Sequence, residues 1–366
     1  MKIAILTYHR SYNYGAMLQA VATRYILSHM GHQVYFINYW PKHQSLLYKE
    51  VSIWKTIKYC LKTNPLNVLK LSYKWLWQAI RRYKYEKFIS KYISKYYGNE
   101  KAEYDVLLCG SDQIWRKQPI TNNYNPFYFG DNDVKANIKM SYASSMGKLP
   151  QTKEDENTIK KLLKNLDYIS VREKNLCEYI KINTPYNAIQ VLDPTLLLTK
   201  EQWEDCVHIK EKMFLEPYVL VYDLGQKFDK NNIKHFANRN KLKVIETIQW
   251  IDFPEQQIKP ATDNPADFLC LIKNASFVLT SSFHGMALSI VFNKPFYVTS
   301  SHNIDRFKSL LQTLKLEDRW LDNCNISNLL CRTIDYNTVK QILEKEKEKS
   351  INYLSENITK KKSNGK

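Results

Sequence analysis

The chain has 366 residues, of which 44% are apolar and 25% charged, and its formal net charge is +18. That length exceeds what one hydrophobic core usually serves, so two domains are expected. The composition excludes a disordered chain, and no apolar run is long enough to span a membrane.

The opening "MKIAILTYHR" is a short apolar run interrupted by His9 and Arg10. It is too short for a signal peptide and no small-residue cleavage site follows, so a cytoplasmic location is expected. "RSYNYG" reads as a turn-forming loop, and "AMLQAVATRYILSHMG" as a helix with Gly31 past its end. "HQVYFINYW" is a second strand, which completes a βαβ unit and implies a parallel sheet with a right-handed crossover. Further strands are expected in "YDVLLCG", "ANIKMSYASSMG" and "LDYISVRE". Alternation then resumes. Strands are read in "EPYVLVYDLG", "KLKVIETIQ", "SFVLT" and "KPFYVTS", and helices in "DKNNIKHFANRN", "NPADFLCLIKNA" and "SFHGMALSIVFN". The expected architecture is α/β, with two doubly wound, Rossmann-like domains facing across a cleft. The boundary is set at "VLDPTLLLTKEQW", where Pro194 interrupts and Thr199 can cap a new helix, giving domains of 1–195 and 196–366. The charged tail "LEKEKEKSINYLSENITKKKSNGK" closes the second domain as a helix with a frayed end.

The charge is concentrated. Residues 41–100 carry 13 Lys and Arg against 3 Glu. Within this insertion, "LKLSYKWLWQAIRRYKYEKFISKYI" places Leu69, Tyr73, Leu76, Ile80 and Tyr83 at helical spacing, interleaved with Lys70, Lys74, Arg81, Lys84 and Lys87. Trp75 and Trp77 lie near its middle. This pattern fits a basic amphipathic helix. Such a face is most often simply solvated, aromatics beside lysines also suit an anionic membrane surface, and no nucleic-acid motif accompanies the charge. Cys60, Cys109, Cys177, Cys206, Cys270, Cys324 and Cys331 stand singly, with no C-x-x-C pair. Most are expected to be buried thiols, and neither a metal nor a cofactor is expected.

In open α/β sheets, ligands bind beyond the carboxyl ends of the strands, so the loops after strands are the candidate sites. Asn13-Tyr14-Gly15-Ala16 leads into a helix N-terminus that offers free N–H groups to an anion, or is a plain turn. Ser111, Asp112 and Trp115 in "GSDQIW" suit a hydroxyl-rich ligand with the indole under a sugar ring, or a helix cap above a core tryptophan. Ser144-Ser145-Met146-Gly147 says little by itself. "TSSFHGMALSI" places His284 at a strand-to-helix turn, where it suits proton transfer or fills a structural role. Arg172, in "SVREK", is either an exposed charge or a partner for carboxylate and phosphate.

Seven segments in this order, "YNYGAMLQA", "GSDQIW", "SYASSMG", "SVRE", "VLDPTLL", "TSSFHGMALSIVFNKPF" and "NIDRFKSLLQTL", resemble the polysaccharide pyruvyl transferase family over residues 3–320. The resemblance implies a fold similar to the two-domain GT-B glycosyltransferases, with phosphoenolpyruvate as donor and a sugar diol as acceptor. The implied product is a cyclic pyruvate ketal on a surface polysaccharide or its precursor, and the acceptor expected from the resemblance is a terminal galactose-like residue of a saccharide linked to a lipid pyrophosphate. It implies a catalytic role for His284 and donor binding by Arg172. Many members carry an arginine two residues before the histidine, where this chain has Ser282. Arg306, with Lys308 behind it, is the candidate substitute. Donor contacts are further expected from Ser281, Ser282 and the N–H at Gly285. On the acceptor side, Asn13, Gly15, Ser111 and Asp112 are expected to bind, with Trp115 or Tyr14 under the ring.

Two other classes of function fit the same architecture: a glycosyltransferase using a nucleotide sugar, and a non-catalytic saccharide-binding protein. The order of the segments, and the presence of both His284 and Arg172, favour pyruvyl transfer over either.

Overall fold

The computed structural model describes residues 1–41, 66–99, 101–224, 227–247, 264–300, 303–322, 326 and 332–360, and only the backbone of 66–78. A first parallel sheet runs in the order β2 (Gln33–Phe36), β1 (Lys2–Leu6), β3 (Glu103–Cys109) and β4 (Lys135–Ser141). A short parallel pair, β5 (Ile169–Val171) and β6 (Ala188–Gln190), joins the edge of β4 through bridges at Met140–Tyr168 and Ser144–Val171. The second parallel sheet runs β10 (Phe296–Val298), β9 (Phe277–Thr280), β7 (Tyr218–Tyr222) and β8 (Lys243–Glu246). The inner strands are apolar and buried along nearly their whole length, as parallel strands covered on both faces must be.

The predicted alternation is present in both halves. Between the first two strands lies α1 (Tyr14–His29), whose Asn13 cap accepts the Ala16 N–H at 3.1 Å and which is followed by Gly31 at φ 85°. This helix is buried from Tyr14 through Thr23, on every face. It packs both on its own sheet and on two helices of the second half, α7 (Pro265–Asn274) and α8 (Phe283–Val291). A helix apolar all round belongs in an interior, and here that interior lies between the two sheets. Thr199 caps the helix at Lys200–Cys206 through a reciprocal capping box with Gln202, as its position suggested. The helix at Lys174–Asn183 and strand β6 were not anticipated.

Two expectations are corrected. The charged tail is a helix as expected, Tyr336–Thr359, but it returns to the first sheet instead of closing the second domain. There the Tyr353 hydroxyl donates to the Ser141 carbonyl at 2.9 Å and the Leu192 N–H donates to Ser350 Oγ at 2.9 Å. The frayed end proposed for 361–366 lies outside the described residues. In the basic segment, a helix does span Leu66–Tyr92, but its inward stripe is Arg81, Tyr85, Phe88 and Ile89, while Tyr83 is 67% exposed. The face is set by tertiary contact. Tyr85 packs against Tyr12 and Tyr14, and Arg81 lies 5.4 Å from the Tyr85 ring centre. The side chains of Leu69, Tyr73, Trp75, Leu76 and Trp77 lie outside the described residues, as do Cys60, Cys324 and Cys331. Cys109, Cys177, Cys206 and Cys270 are free and buried. Among the described residues, no helix is long and apolar enough to cross a membrane.

His9, in the loop that feeds α1, is buried between Phe36 and Tyr97, and its Nδ1–H donates to the Thr7 carbonyl at 2.9 Å. Burial pushes its pKa down to about 4, opposed by the bond to Thr7 and aided by the nearby Arg10 charge. The unfolded chain takes up this proton near the ordinary histidine value and the folded chain only near 4. The contribution to stability is therefore complete above the unfolded value and is lost as pH falls toward 4. Denaturant unfolding at pH 5 is expected to give a free energy about 2 kcal/mol lower from this group alone than at pH 7.5. A His9→Gln chain should lose that part of the dependence, and an unchanged pH slope in the variant would remove His9 as its source.

Candidate functional site

The site is assembled from the carboxyl ends of strands in both sheets. Beyond β5 come Arg172 and Glu173, both buried. Beyond β6 the chain turns at Asp193, which is 1% exposed and caps the short turn at Pro194–Leu196. Asp193 Oδ1 accepts from the Thr195 N–H at 3.0 Å and its hydroxyl at 2.7 Å. Oδ2 accepts from Arg172 Nη1 at 2.8 Å and Ser111 Oγ at 3.0 Å, and it faces His284 Nε2 at 3.6 Å. One carboxylate thus ties together three separate loops. Burial by itself would raise its pKa, but the facing His284 imidazole and the Arg172 guanidinium reverse this and hold Asp193 well below the usual carboxylate range.

Arg172 is held a second time, by Glu173 Oε1 at 3.4 Å, and Glu173 in turn accepts from Ser145 Oγ at 2.5 Å. Its guanidinium carbon lies 4.4 Å from the Phe283 ring centre. Burial alone would lower the Arg172 pKa, but Glu173, Asp193 and Asp112 together raise it. Arg306 approaches the same ring from the helix α9 (Ile304–Leu314), with its guanidinium carbon 5.8 Å from the Phe283 centre. Burial, and then the Arg172 charge, push Arg306 down to about 10, which still leaves it cationic at neutral pH. Two like charges therefore lie close to one phenyl ring. Arg172 Nη2 and Arg306 Nε are buried without a hydrogen-bond partner, and so is Glu173 Oε2. Buried guanidinium N–H groups left unmatched beside one another are a receptor for an anion. Between them lies a cavity of about 20 Å³, lined by Arg172, Asp193, Phe283, Arg306 and Ser309 among others, which is room for a water molecule.

His284, 6% exposed, sits in the first turn of α8. Its ring lies against Gly15 in the first turn of α1, and a Cβ built on Gly15 would collide with Nδ1 and Cγ and stand 2.8 Å from the His284 Cβ. This close approach across the two halves requires glycine at position 15. Asp112, half-buried at φ 72°, is near enough that its charge raises both Arg172 and Arg306. Exposed Arg116, four residues on, acts on Arg306 in the opposite sense.

The predicted residues divide into two groups. His284, Arg172, Arg306, Gly15, Ser111 and Asp112 come together around Asp193. The others are engaged elsewhere. Trp115 is fully buried, stacked on Phe129 at 4.8 Å, with its Nε1–H donated to the Tyr128 carbonyl, so no face is left for a sugar. Tyr14 is 1% exposed, stacked on Phe268 at 4.5 Å and bonded to Thr247, which removes it from the same role. Asn13 is the α1 cap. Ser282 is the cap of α8, and its hydroxyl takes the Gly285 N–H at 3.4 Å, so neither faces a donor. Gly285 itself packs on Thr280 and Tyr222. Ser281 Oγ is held by Asp223 at 2.7 Å and by the Leu224 N–H at 2.6 Å. Lys308 is exposed, with its ammonium 5.6 Å from the Trp320 ring centre. Ser145 and Gly147 border the site, Gly147 against Gln113 and Asn303. Asp193, Glu173, Phe283 and Arg116 were missed by sequence reasoning. The first three lie inside segments that had already been singled out, and only the long-range contacts assign them a role.

Residues 13–303 match the sequence family described as polysaccharide pyruvyl transferase. No curated protein matches the chain. Among solved structures, the chain is similar in path to Arabidopsis thaliana UGT89C1 complexed with UDP, at 11% identity, a TM-score of 0.47 and 98% coverage of each chain. The spinosyn forosaminyltransferase SpnP is 11% identical over 98% of this chain and 100% of that one, with a TM-score of 0.44. S. aureus MnaA in its UDP co-structure is likewise 11% identical, over 100% and 99%, with a TM-score of 0.44. The family match covers far more than half of the 366 residues and contains both His284 and Arg172, and on that basis the chain belongs to the polysaccharide pyruvyl transferase family.

Proposed function

We propose that this protein moves the pyruvyl group of phosphoenolpyruvate onto two hydroxyls of a saccharide, forming a cyclic ketal and releasing phosphate. The observation that carries this reading is the pair of guanidinium groups, Arg172 and Arg306, with unmatched N–H atoms, both within 6 Å of the Phe283 ring centre in a chain of this family. Phosphoenolpyruvate carries a carboxylate at one end and a phosphate at the other. Arg172, Arg306 and exposed Arg116 supply the cations for those two ends, in place of the donor contacts first expected from Ser281, Ser282, Gly285 and Lys308.

The chemistry then requires a proton at the methylene carbon as the first sugar oxygen bonds to the central carbon. His284 supplies that proton and takes up the one released by the hydroxyl. The bond between the central carbon and the phosphate oxygen next breaks, the second hydroxyl closes the ring, and its proton leaves with the phosphate. Asp112 orients the acceptor hydroxyls from the opposite side. The acceptor in this reading is a saccharide diol on a surface polysaccharide precursor.

The test is phosphate release from phosphoenolpyruvate with a panel of lipid-linked and aryl-tagged saccharides. Release that depends on the acceptor supports the reading. No release with any acceptor, accompanied by nucleotide release from a nucleotide sugar, would replace it with glycosyl transfer, and neither release would leave saccharide binding.

If the acceptor is lipid-linked, the outward face of the basic helix is the part that meets the membrane. It carries Arg82, Lys87 and Lys91 beside exposed Tyr83, while Arg81 points inward and half-buried Lys84 lies near Asp267 and Lys210. Neutralising Arg82, Lys87 and Lys91 together is expected to abolish sedimentation with vesicles containing phosphatidylglycerol. Equal sedimentation of the variant and the parent would make this face a solvated one.

A further inference from the structure

We infer that Asp193 is a positioning residue that keeps a proton on His284 Nε2, so that Nδ1, at the Gly15 edge, is the nitrogen that exchanges a proton with substrate. The inference rests on the reading of His284 as the proton-transfer group.

Every acceptor position of Asp193 is already directed at a donor. Oδ1 takes the Thr195 N–H and hydroxyl, and Oδ2 takes Arg172 Nη1 and the Ser111 hydroxyl. Each carboxylate oxygen faces one donor with no acceptor function, the Thr195 amide or the Arg172 guanidinium, and the ion pair with Arg172 favours the charged carboxylate over a form that shares a proton with either hydroxyl. An anionic oxygen 3.6 Å from His284 Nε2 repels a lone pair on that nitrogen and attracts an N–H. The separation is longer than a hydrogen bond but inside ion-pair range, and the field of a buried charge at that distance is strong. Nε2 is itself buried with no hydrogen-bond partner, so no competing donor or acceptor sets its state. The opposite edge of the ring packs closely on Gly15, whose lack of a side chain makes room for the imidazole, and Nδ1, unlike Nε2, is not among the fully buried unpaired atoms. The same carboxylate orients Arg172, so one residue sets both the proton-bearing nitrogen and the guanidinium that meets the donor.

The ring nitrogens of the eight histidines can be labelled with ¹⁵N, and the resonances of His284 assigned by their loss in His284→Gln. In the full-length protein without ligands, above the pH at which the ring titrates, the expected result is a single tautomer, with Nε2 protonated and Nδ1 bearing the lone pair. A mixture like that of a free imidazole, or an Nδ1–H tautomer, would overturn the inference. Asp193→Asn is expected to move the equilibrium away from Nε2–H and to lower kcat by at least ~10²-fold, on the order of the contribution of general acid–base catalysis. An Asp193→Asn chain that keeps the Nε2–H tautomer would also overturn it. Should that variant fail to fold, the parent spectrum still decides. The spectra need no substrate, so an Nε2–H tautomer found together with absent phosphate release sustains the inference about the imidazole and rejects the proposed reaction.

Discussion

Replacing His284 with alanine is expected to lower acceptor-dependent phosphate release from phosphoenolpyruvate by about 10²–10⁴-fold, the range typical of a lost general acid or base. The loss should fall on kcat. In the proposed reaction Arg172 and Arg306 meet the donor's anionic ends without help from the imidazole, so KM for phosphoenolpyruvate should change little. The fold should survive, because Asp193 keeps its bonds to Arg172, Ser111 and Thr195 when the imidazole is gone. Steady-state kinetics with the best acceptor from the panel check this. A variant that releases phosphate at the parent rate would return His284 to a packing role at the junction of the two sheets and leave proton transfer to another group.

Gly15→Ala is expected to cost activity by about 10²-fold through the same imidazole, without touching its chemistry. In a helix, alanine is favoured over glycine by about 1 kcal/mol, so intrinsic propensity predicts a more stable protein. The contact with His284 predicts the opposite. A new methyl group would overlap Nδ1 and Cγ and press on the Cβ, so a rotamer change at the ring tip does not relieve it. Both the melting temperature and kcat should therefore fall. In a His284→Ala background the overlaps with Nδ1 and Cγ are gone and only the 2.8 Å approach to the residue-284 Cβ remains, so Gly15→Ala should cost much less there, a coupling of about 0.5–3 kcal/mol between the two positions. Additive losses in the double variant would mean that the methyl group collides with something other than His284.

Much of the fold was legible because its signals are local. Runs such as "KIAIL", "YVLVY" and "FVLT", each followed by a loop and a helix, carry the parallel α/β pattern in their own periodicity. Strand β6 buries only Ala188 and leaves Ile189 40% exposed, so it lacks the continuous apolar run that marks the equally short β5 and β10. The basic helix was readable as a helix but not in orientation, because Tyr12 and Tyr14, some seventy residues earlier in the chain, decide that Tyr85 turns inward and Tyr83 outward.

In the candidate site, residue types suited to proton transfer and anion binding could be picked out at strand ends. Their partners could not. Ser111 and Asp193 are 82 positions apart, and Gly15 meets His284 across nearly the whole chain. Trp115 illustrates the converse: an aromatic beside a glycine loop fits a sugar platform and a core residue equally well until the Tyr128 carbonyl is found on its indole N–H. Asp193, adjacent to Pro194, resembles a domain boundary for the same reason, since turn formation and charge anchoring call for similar residues.

Because the last helix returns to the first sheet, the polypeptide passes between the two sheets twice, once after the turn at Pro194–Leu196 and once between Trp320 and Asp335. A body tethered at a single point can swing and twist freely, whereas one tethered at two points retains mainly the rotation about the line that joins them. His284 and Arg172 are almost fully covered where the halves meet, and the cavity beside them has room for about one water molecule. Two tethers thus limit how far either half can twist against the other, and so hold Gly15 on His284 and Arg172 beside Arg306.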